Sequence, residues 1–175
     1  MRFNTITDSF VKRLVSIVIP VIFLFLLSQE VSAQEPPPRP IVVTVTSQGL
    51  SFGAFTHGAA GGTVTISSGG LRSSTGDVVQ LGLGYLYSTA LYEVVANPGT
   101  VISLLNGPDV LLPGSNGGSL SLHIGDSDLG SPFVTTVAYP VPTELNVGGE
   151  LTVGNPLANP PGSYSGTFDI TFVQE

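Results

Sequence analysis

Gly162-Ser163-Tyr164-Ser165-Gly166-Thr167-Phe168-Asp169-Ile170-Thr171-Phe172 is the stretch that decides the fold. Tyr164, Phe168, Ile170 and Phe172 occupy alternate positions, and Ser165, Thr167, Asp169 and Thr171 occupy the others. Successive side chains of an extended chain point to opposite faces. The pattern therefore predicts a strand with one apolar and one wet face. The expectation is one long terminal strand, from Tyr164 to Phe172, laid into a sheet.

Upstream, further strand candidates recur at short spacing. They are Ile41–Thr46, Leu50–Phe55, Thr63–Ile66, a long run within Asp77–Tyr87, Leu91–Val95, Val101–Leu105, Val110–Leu112, Ser119–Ile124, Phe133–Tyr139 and Leu145–Val153. Turn chemistry separates them, as in Asn97-Pro98-Gly99 and Asn106-Gly107-Pro108-Asp109. With 22 glycines and 14 prolines in the chain, a long helix has little room. Many short strands with frequent turns predict an all-β sandwich. Three Gly-Gly pairs, Gly61-Gly62, Gly117-Gly118 and Gly148-Gly149, each precede a polar-apolar-polar-apolar run. They read as a reused hairpin device in which glycine takes the positive φ of a turn.

The N-terminus reads as an export signal. Arg2, Lys12 and Arg13 precede an apolar run from Leu14 to Leu27, and Val31-Ser32-Ala33 is a small-x-small cleavage site before Gln34. The run is shorter than the roughly 20 residues that span a bilayer. An uncleaved anchor is the competing reading. Residues 1–33 are thus expected to be a cleaved signal helix, residues 34–40 a Pro-rich arm and residues 41–175 the β-sandwich domain. Pro36, Pro37, Pro38 and Pro40 make the arm a stiff, solvated polyproline segment.

Beyond the signal the only basic side chains are Arg39 and Arg72, against ten carboxylates. Nucleic-acid binding needs clustered Lys and Arg, and this balance argues against it. Stable membrane insertion is not expected once the signal is removed. Cysteine is absent, so sheet hydrogen bonds and the core must hold the fold without disulfides.

No catalytic constellation emerges. His57 and His123 are the only histidines, they lack metal-ligand spacing, and His123 falls on the polar face of its strand. Asp126-Ser127-Asp128 resembles a fragment of a calcium loop, but no glutamate completes it, so a solvated acidic turn is the better reading. Ser163 and Ser165 stand near Gly162 and Gly166 without the strand-to-helix turn of a nucleophile elbow. Tyr85, Tyr87 and Tyr92 could form a sugar-stacking platform, and core packing is the stronger reading. Arg72 is expected to pair with Asp77 or another carboxylate and so pin a loop. No catalytic, cofactor-binding or metal-ligating residue is identified, and no cofactor is expected.

Three blocks carry a resemblance: Gly61–Ser67 with the following Gly70-x-Arg72 and Gly76-x-Val78, Leu145–Val153, and Pro161–Phe172. Together they resemble an exported bacterial domain-of-unknown-function family similar to the Mat/Ecp-type fimbrial major subunits, over about residues 40–173. The ending also resembles the terminal strand of spore-coat and chaperone–usher-like pilin domains. The resemblance implies an immunoglobulin-like, pilin-like antiparallel β-sandwich in a Gram-negative periplasm or on the cell surface. It also implies polymer building by strand donation, with no enzymatic role. On that basis Ile41, Val43 and Val45 are the candidate donor face, and Tyr164, Phe168, Ile170 and Phe172 the candidate terminal pairing strand. The competing expectation is a monomeric extracellular module that binds carbohydrate or an envelope protein.

Overall fold

The computed structural model describes residues 38–175. The expected signal, 1–33, and residues 34–37 of the expected arm lie outside the described residues. Arg39–Glu175 form one compact unit. Every regular element among the described residues is a strand, and every strand pairing is antiparallel.

The larger sheet runs in the order β1 (Val42–Val45), β8 (Ala90–Val95), β13 (Thr143–Val153), β11 (Ser119–Ser127), β10 (Val110–Pro113). β4 (Gly62–Ile66) joins it at β13 and carries β5 (Arg72–Ser74) outside it. β13 organises the sheet because its 11 residues serve two neighbours along one edge. β8 pairs with Thr143–Val147 and β4 with Gly149–Val153, while β11 takes the other edge. The smaller sheet is β12 (Phe133–Val134), β9 (Val101–Asn106), β14 (Ile170–Gln174). Two short pairs complete the set: β2 (Ser51–Phe52) with β7 (Tyr87–Ser88), and β3 (Phe55–His57) with β6 (Val78–Gln80).

Alternation decides which side chains enter the core. Ala90, Tyr92 and Val94 of β8, Leu120, Leu122 and Ile124 of β11, and Leu145, Val147, Leu151 and Val153 of β13 are all buried. Ile102 and Phe133 face them from the smaller sheet. The Tyr92 and Phe172 rings meet across the layers with centroids 5.4 Å apart and planes tilted by 55°. The all-β sandwich expected from the sequence is the fold observed.

Four expectations about elements need correction. The terminal strand is shorter than the pattern predicts: the ladder covers only Ile170–Gln174, and Tyr164 makes a single bridge to Gly114. Ser165 N–H donates to the carbonyl of Pro113, which has no N–H to return, so the pairing stops there. The periodicity still holds, since Tyr164, Phe168, Ile170 and Phe172 are half-buried and pack on the core. The run within Asp77–Tyr87 is two short strands, because Gly84 at φ +81° turns the chain out of the sheet between them. Phe133–Tyr139 contributes only Phe133–Val134. Gly148 and Gly149 lie inside β13 and not at a turn. There glycine serves close approach, since a Cβ on Gly148 would lie 2.3 Å from the Ile66 carbonyl oxygen.

Candidate partner-binding groove

A groove of about 700 Å³ runs over the core face of the larger sheet. Leu112, Leu120, Leu122, Leu151 and Val153 form its floor. One wall is the segment from Pro160 to Phe168, and the other is Leu50–Phe55 with the strap Leu81–Leu86. The tail wall is tied on its far side, where Ser115 N–H donates to the Ser163 carbonyl at 2.9 Å and Ser165 N–H to Pro113 at 3.4 Å. Among the described residues no backbone hydrogen bond joins the two walls. None of the lining residues is Asp, Glu, Lys or Arg.

Sequence reasoning found one wall and missed the rest. Tyr164 and Phe168 belong to the groove, whereas Ile170 and Phe172 continue past it in β14, where they pair with Asn106 and Leu104. The floor leucines are ordinary buried, alternating core residues, and nothing local marks them as lying beneath a groove. A usable signal lay in Leu81-Gly82-Leu83-Gly84-Tyr85-Leu86, apolar yet too glycine-rich to pack.

The candidate donor face lies elsewhere. β1 is the edge strand of the larger sheet and pairs with β8, Val43 opposite Val94 and Val45 opposite Tyr92. Ile41 and Val43 rest on the core, whereas Val45 is 72% exposed. The described end of the arm, residues 38–40, is exposed. It is not free, because the Arg39 guanidinium stacks 4.7 Å from the centre of the Tyr139 ring.

Arg72 holds one wall in place, though not through a carboxylate as expected. Its Nη2 donates to the Ala54 carbonyl at 2.6 Å, and its guanidinium lies 5.5 Å from the centre of the Tyr87 ring. Asp77 instead accepts from Ala60 N–H at 2.9 Å. Burial lowers the Arg72 pKa from its usual value, and the nearby Tyr87 partly offsets that shift. Two tyrosines shift upward. Burial raises Tyr92, with Asp169 adding to it, and burial raises Tyr164, whose hydroxyl donates to the Pro160 carbonyl at 2.6 Å.

The remaining candidates have structural partners. His57 Nε2 is 3.0 Å from the Asn159 carbonyl. His123 is exposed, as its place in the strand predicts, and meets Asp109 at 2.7 Å. Asp128 accepts from both the backbone N–H and the side-chain amide of Asn146 at 2.9 Å. The Asn146 amide oxygen in turn accepts from the buried Thr89 hydroxyl at 2.8 Å. No group of three His, Cys, Asp or Glu side chains that could hold a metal occurs among the described residues. Of the three tyrosines, only Tyr92 is in the core, and Tyr85 is 71% exposed. Ser163 and Ser165 sit on the groove wall without a histidine partner.

Fold and groove define a cysteine-free antiparallel β-sandwich with a cleft whose lining carries no Asp, Glu, Lys or Arg. Residues 43–173 match the model of the family described as "Domain of unknown function (DUF4402)", and the chain belongs to that family. No curated protein and no solved structure matches the chain.

Proposed function

We propose that this chain is an exported, non-enzymatic structural subunit of a fimbria or cell-surface assembly, and that copies associate by strand addition in the groove. The observation that carries this reading is the groove itself, a cleft with a floor of leucines and valine and a tail wall whose backbone, among the described residues, bonds only to the segment on its far side. Strand addition needs both features: backbone groups give affinity and pockets for alternate side chains give register. Signal-like residues 1–33 and the resemblance to Mat/Ecp-type subunits support the same reading.

The occupant is the arm of a second copy, with Ile41, Val43 and Val45 turned to the floor leucines. Residues 36–40 are unsuited to pairing, because Pro36, Pro37, Pro38 and Pro40 supply no N–H. β1 is the next extended segment, it sits at a sheet edge, and among the described residues β8 is its only strand partner. Charge agrees with this choice. No charged residue lies between Arg39 and Arg72, so Ile41–Thr46 brings no charge into a groove lined by none.

The test is size-exclusion chromatography with negative-stain microscopy on residues 34–175, beside a chain lacking 34–47. A synthetic peptide of residues 40–48 serves as competitor. Filaments or an oligomer ladder, lost on truncation and suppressed by the peptide, are expected. A well-folded monomer in both chains with no peptide binding would falsify strand addition and move the assignment to a monomeric binding module with exposed Tyr85 as its contact.

A further inference from the structure

β1 is fastened differently at its two ends. At the near end, among the described residues, Arg39 and Ile41 hydrogen-bond only to the Gln174 side chain, and the Arg39 guanidinium stacks on the Tyr139 ring. Both fastenings are side-chain contacts, and Arg39 and Tyr139 are exposed. At the far end the backbone itself is clamped. Thr46 N–H and the Thr46 hydroxyl both donate to the Leu91 carbonyl, at 3.3 Å and 3.0 Å. The Gln48 carbonyl accepts from Leu91 N–H at 3.0 Å, and Gln48 Nε2 donates to the Thr89 carbonyl at 3.2 Å. The chain that follows is rooted in the core by Leu50 and Phe52. Between the two ends only Ile41 and Val43 rest on the core, and Val42 and Val45 are exposed.

We infer that β1 is a flap, hinged at Thr46–Gln48 and caught by Gln174 and Tyr139, that opens from its Arg39 end. Local opening begins where burial is low and backbone hydrogen bonds are few. Once the catch releases, the pairing with β8 comes apart from Val42 toward Val45. It stops where Thr46 and Gln48 hold both the N–H and the carbonyl of Leu91, because further peeling would draw Leu50 and Phe52 out of the core. The flap therefore frees Ile41–Val45 and nothing beyond. The hinge thus fixes which residues one copy can offer another, a use that rests on the strand-addition reading. The opening itself rests only on the contacts of β1 within its own domain.

Amide hydrogen exchange on the full chain tests the hinge. Thr46 N–H points to β8, and alternation directs the N–H groups of Val42 and Thr44 the same way. Exchange is expected to quicken from Thr46 toward Val42. In the double variant Tyr139→Ala/Gln174→Ala it should quicken by about tenfold or more at Val42 and Thr44 and stay unchanged at Thr46 and Leu91. Retained protection across β13 establishes that the variant folds. Equal acceleration at Thr46 and Leu91 overturns the hinge, since the strand then leaves as a unit. No acceleration at Val42 and Thr44 overturns the catch. Thr46→Val/Gln48→Ala should carry the opening on to Leu91, and unchanged Leu91 protection in that variant also overturns the hinge. A disulfide then tests the use of the flap. Val43 and Val94 are directly opposite in a pair without backbone bonds between them, the closer kind of cross-strand pair, and the chain has no competing cysteine. Oxidised Val43→Cys/Val94→Cys is expected to lose association, and reduction of the same protein should restore it. Association indifferent to the disulfide overturns β1 as the donated strand even where exchange supports the flap. With a monomeric parent, strand addition fails and the exchange pattern alone supports or overturns the flap.

Discussion

Gln174 grips the backbone of Ile41 from the far end of the sequence. Its Oε1 accepts from Ile41 N–H at 3.2 Å, and its Nε2 donates to the Arg39 carbonyl at 3.1 Å. One side chain thus does for residues 39–41 what a neighbouring strand would do. It joins β14 in the smaller sheet to the start of β1 in the larger.

Replacing Gln174 with Ala is expected to loosen β1 selectively. Two net hydrogen bonds contribute about 1–3 kcal/mol together. Hydrogen exchange should accelerate at Ile41–Val45 while the β13 amides stay protected. Uniform acceleration over both strands would show that β1 is inseparable from the core. If strand addition operates, Gln174→Ala should also assemble faster, because the arm leaves its own sheet more readily.

Gly148→Ala tests the close approach of β4 to β13. The added Cβ would lie 2.3 Å from the Ile66 carbonyl oxygen, a backbone atom that cannot turn aside. A loss of about 2–4 kcal/mol is expected, the range of severe core substitutions. Gly69→Ala is the control, since its nearest neighbour would be the Ser67 hydroxyl at 3.8 Å. Equal midpoints for the two variants in urea unfolding would refute the account.

Arg72→Ala removes the hydrogen bond to Ala54 and the stacking on Tyr87. It should cost about 1–2 kcal/mol and lower the melting temperature. Arg72→Lys should recover only part of the loss, because an ammonium cannot stack and reach Ala54 as a planar guanidinium does. An unchanged melting temperature for the Ala variant would defeat this role.

Alkaline pH tests the two phenols of Tyr92 and Tyr164. Folding raises the pKa of both Tyr92 and Tyr164 above the ordinary value, so the native state favours the protonated phenols. Their contribution is complete below the unfolded value of about 10 and is lost as pH rises through the folded values. Stability should therefore fall above about pH 10, and Tyr92→Phe should flatten that fall. The same alkaline slope in the Phe variant would remove Tyr92 from the explanation.

The sandwich was legible because alternation is a local property with a period of two. Leu120, Leu122 and Ile124 were assigned inward from five residues of sequence, and they are buried. The terminal apolar face was legible for the same reason, even though its ladder covers only Ile170–Gln174. Gly148 and Gly149 were misread because a glycine's reason for being glycine can lie in a distant strand, here Ile66 of β4. Arg72 was given a carboxylate partner because charge is visible in a sequence, whereas the Ala54 carbonyl and the Tyr87 ring become neighbours only after folding.

By itself the sequence determined the strand period, the acidic balance and the absence of disulfides, each set by residue type and near neighbours. Tertiary structure decided that residues 160–168 and 50–55 stand apart over a floor of leucines, that β1 is an edge strand, and that Gln174 closes the chain onto Ile41. Such facts depend on which distant strand edges satisfy one another's backbone groups, and local periodicity does not encode that pairing.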